Sequence, residues 1–188
     1  IIKCAIISDS DFLDYLEKYN KDILKRSPTH LTYCMRQAIE IKVNHVSNDV
    51  REGGKRLLLN YGHTLGHAIE MATQTKEGET FRHGEGVSLG IVAVLLVAKL
   101  FLKIPENVGN KVQLILKLYK LPVSFSASKY GFERNAVIDL CMRLAFKDKK
   151  RKGDQLRFVL VDKIGRADIY SGISNKIILK ALQQVVKK

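Results

Sequence analysis

Apolar residues recur at helical spacing along most of this chain. Phe12, Leu16, Tyr19 and Ile23 follow Ser8-Asp9-Ser10-Asp11, whose side chains suit an N-cap, and predict a first helix that ends before Pro28. A second helix is predicted from about Leu31 to Asn48, with Leu31, Met35, Ile39 and Val46 as its core stripe and Lys42 in the remaining slot. A lysine in such a slot packs its stem and snorkels its amine to water, or serves a purpose outside packing. Asp49 to Lys55 reads as a polar, glycine-containing turn into a helix over 56–70, and a loop from Thr73 to Arg82 leads to a long apolar helix. Pro105 suits the start of the next helix, with Val108, Val112, Ile115 and Tyr119 on its core face, and Leu121-Pro122 closes it. A further helix is expected over 132–146. Gln155 to Val161 and Arg166 to Tyr170, either side of Asp162-Lys-Ile-Gly165, predict a β-hairpin. Ser174 is placed to cap a last helix through Ile178, Leu182 and Val185. The predicted fold class is mainly α, a multi-helix domain over 1–188 with a small β-hairpin near the C-terminus.

One helical stripe breaks the apolar rule. Arg56, Asn60, His63, His67 and Glu70 are spaced by four, three, four and three residues, so on one helix they share a face. Leu57, Leu58, Leu59, Leu65, Ala68, Ile69 and Met71 surround them with apolar surface. Buried polar groups are costly without partners, so a stripe of five points to a metal ion or a polar substrate. His63 and His67 lie one turn apart, and His83 at the start of the next helix is placed to complete a site of three. A catalytic zinc commonly takes three protein ligands and keeps one position open. Gly62 and Gly66 each cost about 1 kcal/mol relative to alanine inside a helix, which implies a close approach of backbone or ligand.

Composition narrows the partners. The net charge of +13 fits a basic surface for nucleic acid or anionic membrane, or a basic cleft for a small anion, and Lys147 to Lys152 is its densest run. Three widely spaced cysteines, Cys4, Cys34 and Cys141, make neither a disulfide framework nor a thiolate zinc knuckle and suit a reducing, cytoplasmic compartment. The apolar run Val87 to Leu102 contains Ser88 and Lys99 and is shorter than the roughly 20 residues that span a bilayer, so a buried core helix is expected and no membrane. Apolar from Ile1 and without an initiator methionine, the sequence reads as a piece of a longer protein.

Arg56-x3-Asn60-x2-His63-Thr-x-Gly-His67-Ala-Ile-Glu70 followed by His83-Gly84-Glu85 strongly resembles the 3-dehydroquinate synthase family. Ile2-Lys3 through Asp9 and Phe12 is similar to its Glu-x-x-Lys segment. Glu40-Ile-Lys42, Asp49-x-Arg51-Glu52-Gly53, Asp148-Lys149-Lys150, Leu156 to Leu160 and Ile164-Gly165 extend the likeness over nearly the whole chain, which corresponds to the C-terminal domain. The resemblance implies conversion of a seven-carbon keto sugar acid phosphate into 3-dehydroquinate in the shikimate pathway of aromatic amino-acid biosynthesis. That reaction uses catalytic NAD and a divalent metal, zinc or cobalt. It implies His63 and His83 as metal ligands and His67 as the histidine near the substrate phosphate and its protons. Lys3, Lys42, Arg56, Asn60 and one of Lys149 or Lys150 fall at substrate-binding positions, with Lys3, Lys42 and His67 closest to catalysis. A homodimeric, cytoplasmic parent enzyme is implied as well. A carboxylate and a phosphate on one substrate need several cations, which agrees with that set.

Two family features are missing. With Lys3 aligned, the glutamate that serves as third metal ligand would precede Ile1, and no Gly-x-Gly-x-x-Gly stretch stands for the N-terminal NAD domain. This chain alone is therefore expected to be inactive. A related sugar phosphate cyclase or a metal-dependent alcohol dehydrogenase of the same superfamily is the alternative enzyme reading, although a dehydrogenase has no use for Arg56, Asn60 and Asp148-Lys149-Lys150. A nucleic-acid-binding module is the alternative outside enzymes, and aromatics interleaved with the basic run, which would support it, are lacking.

Overall fold

The computed structural model describes residues 1–47, 54–150 and 156–188, with side chains to 147 in the second stretch. Most of the turn expected over Asp49 to Lys55, with Asp49 and the family-matched Arg51, Glu52 and Gly53, lies outside the described residues, as do the side chains of Asp148, Lys149 and Lys150.

The chain opens with α1 (Ile2–Ser8), whose Cys4, Ala5, Ile6 and Ile7 are buried. Asp9 then caps α2 (Ser10–Lys18) by accepting the Phe12 N–H at 2.8 Å. The single helix expected through Ile23 is instead broken at Tyr19 and resumes as α3 (Asn20–Leu24). There the Asn20 side chain donates to the Glu17 carbonyl, the local competition with helix bonding that asparagine favours.

Pro28 begins α4 (Pro28–Ser47) at the first helical position, where its missing N–H is no loss. The predicted core stripe of α4 is corrected. Cys34, Ala38 and Ile41 face inward, while Met35, Ile39 and Val46 are exposed. The small side chains at 34 and 38 suit a close approach of α4 to α1, with which it is in contact.

The expected helix over 56–70 is two pieces. Lys55–Asn60 is a 3-10 turn, Gly62 takes φ 77°, and α5 (His63–Ala72) starts afresh. α6 (His83–Phe101) follows as the central helix, buried around most of its circumference. It is long and apolar enough to cross a membrane, yet 67% of its apolar window is buried, as in a core helix. Against it pack α5, α7 (Glu106–Leu118) and α9 (Asn175–Val185). The α5–α6 crossing is backbone on backbone: a Cβ on Gly90 would stand 2.0 Å from the Gly62 carbonyl oxygen and 2.5 Å from the Gly66 nitrogen. The motif glycines thus admit a neighbouring helix rather than a ligand.

α8 (Arg134–Lys150) is started by Glu133, whose carboxylate accepts the N–H groups of Asn135 and Ala136. A short strand β1 (Phe125–Ser126) pairs in parallel with β4 (Val186–Lys187), a contact without a sequence signal. The predicted hairpin is β2 (Phe158–Lys163) against β3 (Arg166–Tyr170), antiparallel, with Phe158 opposite Tyr170 and Leu160 opposite Asp168. Its turn is tied to α1, since the Gly165 N–H donates to the Ile6 carbonyl at 2.9 Å. Ser174 stands at the N-cap of α9 without a side-chain hydrogen bond.

Candidate metal and substrate site

Three helix starts converge on one spot. Gly62, held at positive φ, turns the chain so that His63 opens α5, and His67 follows one turn later. His83 opens α6, where the Glu85 side chain accepts the Arg82 N–H at 2.8 Å and fixes the entry of the chain. α1 supplies Lys3 from the other side, pinned by the hairpin turn.

A ligand atom from each of His63, His67 and His83 lies within 4.8 Å of the others. Their ring centroids are 5.2, 5.5 and 5.4 Å apart. His63 is half-buried and the other two are exposed. The His63 Nδ1 lies 3.3 Å from the Tyr61 carbonyl oxygen, an acceptor that places the ring proton on Nδ1 and leaves the Nε2 lone pair facing Lys3. Burial, then the charge of Lys3, holds His63 down to about 4, against the opposing pull of the Tyr61 carbonyl. The neutral imidazole that a cation requires is therefore the form present near neutral pH. Three imidazoles in this arrangement fit a divalent metal of the zinc or cobalt type.

Lys3 Nζ stands 3.4 Å from His63 Nε2. Burial lowers its pKa; the Cys4 thiol opposes this and the Lys42 charge adds to it. Lys3, Lys42, His63 and His83 line one cleft of about 600 Å³, with Ser88 and Ile91 of α6 and Leu121 among its walls. Lys42 is thus turned to the cleft mouth and is not a stem packed into the core.

The other sequence candidates are placed less centrally. Asn60 is exposed at the end of the 3-10 turn that leads to His63, and Arg56 sits one turn earlier, half-buried and engaged with a partner. The break at Gly62 takes both off the face that His63, His67 and Glu70 share. Lys149 and Lys150 end α8, and their side chains are outside the described residues. Ser88, in the sequence only a polar interruption of the apolar run, is a buried hydroxyl that donates to the Pro122 carbonyl at 2.8 Å and so holds the chain beside Leu121 at the cleft wall. Its signal was a lone hydroxyl within the apolar run.

Residues 1–151 match the family described as 3-dehydroquinate synthase C-terminal. The chain belongs to that family. The resemblance carried by the motif, and the mainly helical fold it implied, are both upheld. The 3-dehydroquinate synthase of Thermobifida fusca (strain YX) is 36% identical over 185 residues, covering 98% of this chain and 47% of that protein. The chain spans about half the length of the curated relatives it matches. In fold it is similar to the 2-epi-5-epi-valiolone synthase ValA of Streptomyces hygroscopicus subsp. jinggangensis 5008, solved with NAD+ and Zn2+ bound. That likeness has a TM-score of 0.80 at 21% identity, over 98% of this chain and 48% of the other. A 2-deoxy-scyllo-inosose synthase complexed with carbaglucose-6-phosphate, NAD+ and Co2+ gives a TM-score of 0.67 at 22% identity, over 85% and 43%.

Proposed function

We propose that this chain is the metal- and substrate-binding half of a 3-dehydroquinate synthase, the enzyme that converts 3-deoxy-arabino-heptulosonate 7-phosphate into 3-dehydroquinate and phosphate. The observation that carries the reading is the convergence of His63, His67 and His83 beside a cleft bearing Lys3 and Lys42, in a chain of this family. Its substrate is a small anionic sugar acid phosphate. Its partner is the N-terminal NAD-binding half of the same protein, and the parent enzyme works as a cytosolic homodimer.

His63 and His83 are the metal ligands in this reading. Each has an acceptor near Nδ1, the Tyr61 carbonyl oxygen and a Glu70 carboxylate oxygen, both at 3.3 Å, which makes Nε2 the coordinating nitrogen; at His63 a bound cation takes the place of the Lys3 contact. His67 has no such hydrogen bond among the described residues, and its freer ring suits a histidine that carries protons near the leaving phosphate. Bound there, a divalent cation supplies Lewis acidity that lowers the proton affinity of a substrate hydroxyl. Oxidation and re-reduction of the sugar carbon are the chemistry that NAD supplies from the other half.

Lys3 and Lys42 hold the anionic and hydroxyl groups of the substrate in the cleft. Lys3 is half-buried with a lowered pKa, so it can exchange its proton more readily than a surface lysine. Arg56 and Asn60, at the entry to α5, and Lys149 or Lys150, at the end of α8, extend the grip on carboxylate and phosphate.

Phosphate release by the full-length, metal-loaded protein tests this. The heptulosonate phosphate is expected to turn over with NAD present and to stop on chelation. Turnover of a different heptulose phosphate in its place would assign the chain to another sugar phosphate cyclase.

A further inference from the structure

A carboxylate outside the proposed ligand set faces the metal site. Glu70 follows His63 by seven residues and His67 by three, so it lies on the histidine face of α5. Its side chain is only 22% exposed, and Oε1 is buried without a hydrogen-bond partner among the described residues, 3.3 Å from His83 Nδ1. A buried carboxylate oxygen with no donor is costly, so its place calls for an explanation.

Gly86, one turn into α6, makes the room for it. A Cβ on Gly86 would lie 2.2 Å from Glu70 Oε1, 2.3 Å from Cγ and 2.6 Å from Cδ, its three nearest neighbours. Every residue but glycine at 86 would push the carboxylate off its position. Two residues on separate helices are therefore matched to bring a carboxylate to one ring nitrogen.

We infer that Glu70 is the positioning residue of His83. A small turn of the exposed His83 ring converts the 3.3 Å approach into a hydrogen bond from Nδ1–H to Oε1. The bond fixes the proton on Nδ1, presents the bare Nε2 as ligand and raises its basicity. His63 has the same device in the Tyr61 carbonyl. Here a side chain on α5 does it for a ligand on α6, so the bond also sets the distance across the helix crossing. The inference rests on the reading of His83 as a metal ligand.

Zinc titration of the metal-depleted full-length protein against a chromophoric chelator tests it, with Glu70→Ala, Glu70→Gln, Gly86→Ala and His83→Ala. Glu70→Ala and Gly86→Ala are expected to weaken zinc binding by about 10- to 100-fold, and the double variant no more than Glu70→Ala alone. Glu70→Gln keeps a carbonyl acceptor and should restore most of the affinity. Nitrogen-15 spectra of the metal-free protein should show His83 protonated on Nδ1, with that preference lost in Glu70→Ala. Gly86→Ala adds a residue that favours helix, and its three nearest contacts are all Glu70 side-chain atoms from Cγ outward, with no backbone atom among them, so it reports on the carboxylate even if Glu70→Ala folds poorly. Wild-type zinc affinity in both Glu70→Ala and Gly86→Ala, with affinity lost in His83→Ala, overturns the inference and leaves the ligand reading standing. Unchanged affinity in His83→Ala overturns both.

Discussion

Lys3 Nζ approaches His63 Nε2 to 3.4 Å, joining α1 to the first turn of α5. Both groups are half-buried and both are shifted toward their neutral forms, each partly by the other cations of the site. A cleft whose cations repel one another in this way is suited to receive an anion. The contact also explains why the hairpin matters: the Gly165 N–H bond to the Ile6 carbonyl fixes the helix on which Lys3 rides.

Replacing either cleft lysine should damage catalysis more than folding. Lys3→Met and Lys42→Met in the full-length protein are each expected to lower kcat/KM by about 10- to 100-fold, the worth of a hydrogen bond to a charged group. Thermal stability should hold or rise for Lys3→Met, because a desolvated ammonium is removed. Phosphate-release kinetics with a melting curve on each variant read both quantities. Wild-type kcat/KM in both variants would take the lysines out of the substrate site.

His63 gives the metal-free protein a pH dependence with a definite sign. Its folded pKa of about 4 lies below the ordinary value of 6.5, so the unfolded chain binds the extra proton first. The contribution of neutral His63 is complete above pH 6.5 and is lost as pH falls toward 4. Urea unfolding of wild type and His63→Asn, both with chelator, should therefore show a stability difference that shifts against wild type across that window. A difference that stays constant from pH 7.5 to 4 would contradict the buried, neutral imidazole.

Gly90 at the α5–α6 crossing and Gly109 on α7 should respond to alanine in opposite directions. Gly90→Ala drives a methyl into the Gly62 carbonyl and the Gly66 nitrogen, backbone atoms that cannot rotate away. A loss of about 3 kcal/mol or more is expected, at the upper end of overpacking. Gly109→Ala on α7 meets nothing within 4 Å and should gain up to about 1 kcal/mol from helix propensity. Denaturant midpoints on the two variants measure the contrast.

Local chemistry made much of the fold readable. Asp9 lies in the run read as an N-cap and caps α2, and Pro105, read as a helix start, stands at the N-cap of α7. The histidine cluster was readable for the same reason: His63 and His67 are one turn apart, and the third ring sits at the next helix start. Non-local contacts stayed hidden. The pairing of β1 with β4 joins two-residue strands distant in sequence, and periodicity carries no trace of it. The positive φ of Gly62 turned one apparent helix into two, which separated Arg56 and Asn60 from the stripe that spacing alone had assigned them. Glu70 was visible as a member of that stripe, but its link to His83 needs the α6 backbone and Gly86, which spacing does not show.

On α4 the exposed face carries the larger apolar side chains and the buried face the smaller ones, so mutation separates them cleanly. Met35 and Ile39 are 53% and 59% exposed, whereas Ile41 is 8% exposed in the core. In this chain Ile39→Ala, and even Met35→Lys, should change the unfolding free energy by no more than about 0.5 kcal/mol, as surface changes do. Ile41→Ala removes a buried side chain and should cost about 2–4 kcal/mol. Chemical denaturation of the three variants gives the ranking. If Ile39→Ala proved as damaging as Ile41→Ala, the core stripe would be the one that periodicity first suggested, and Lys42, which shares that stripe, would turn away from the cleft.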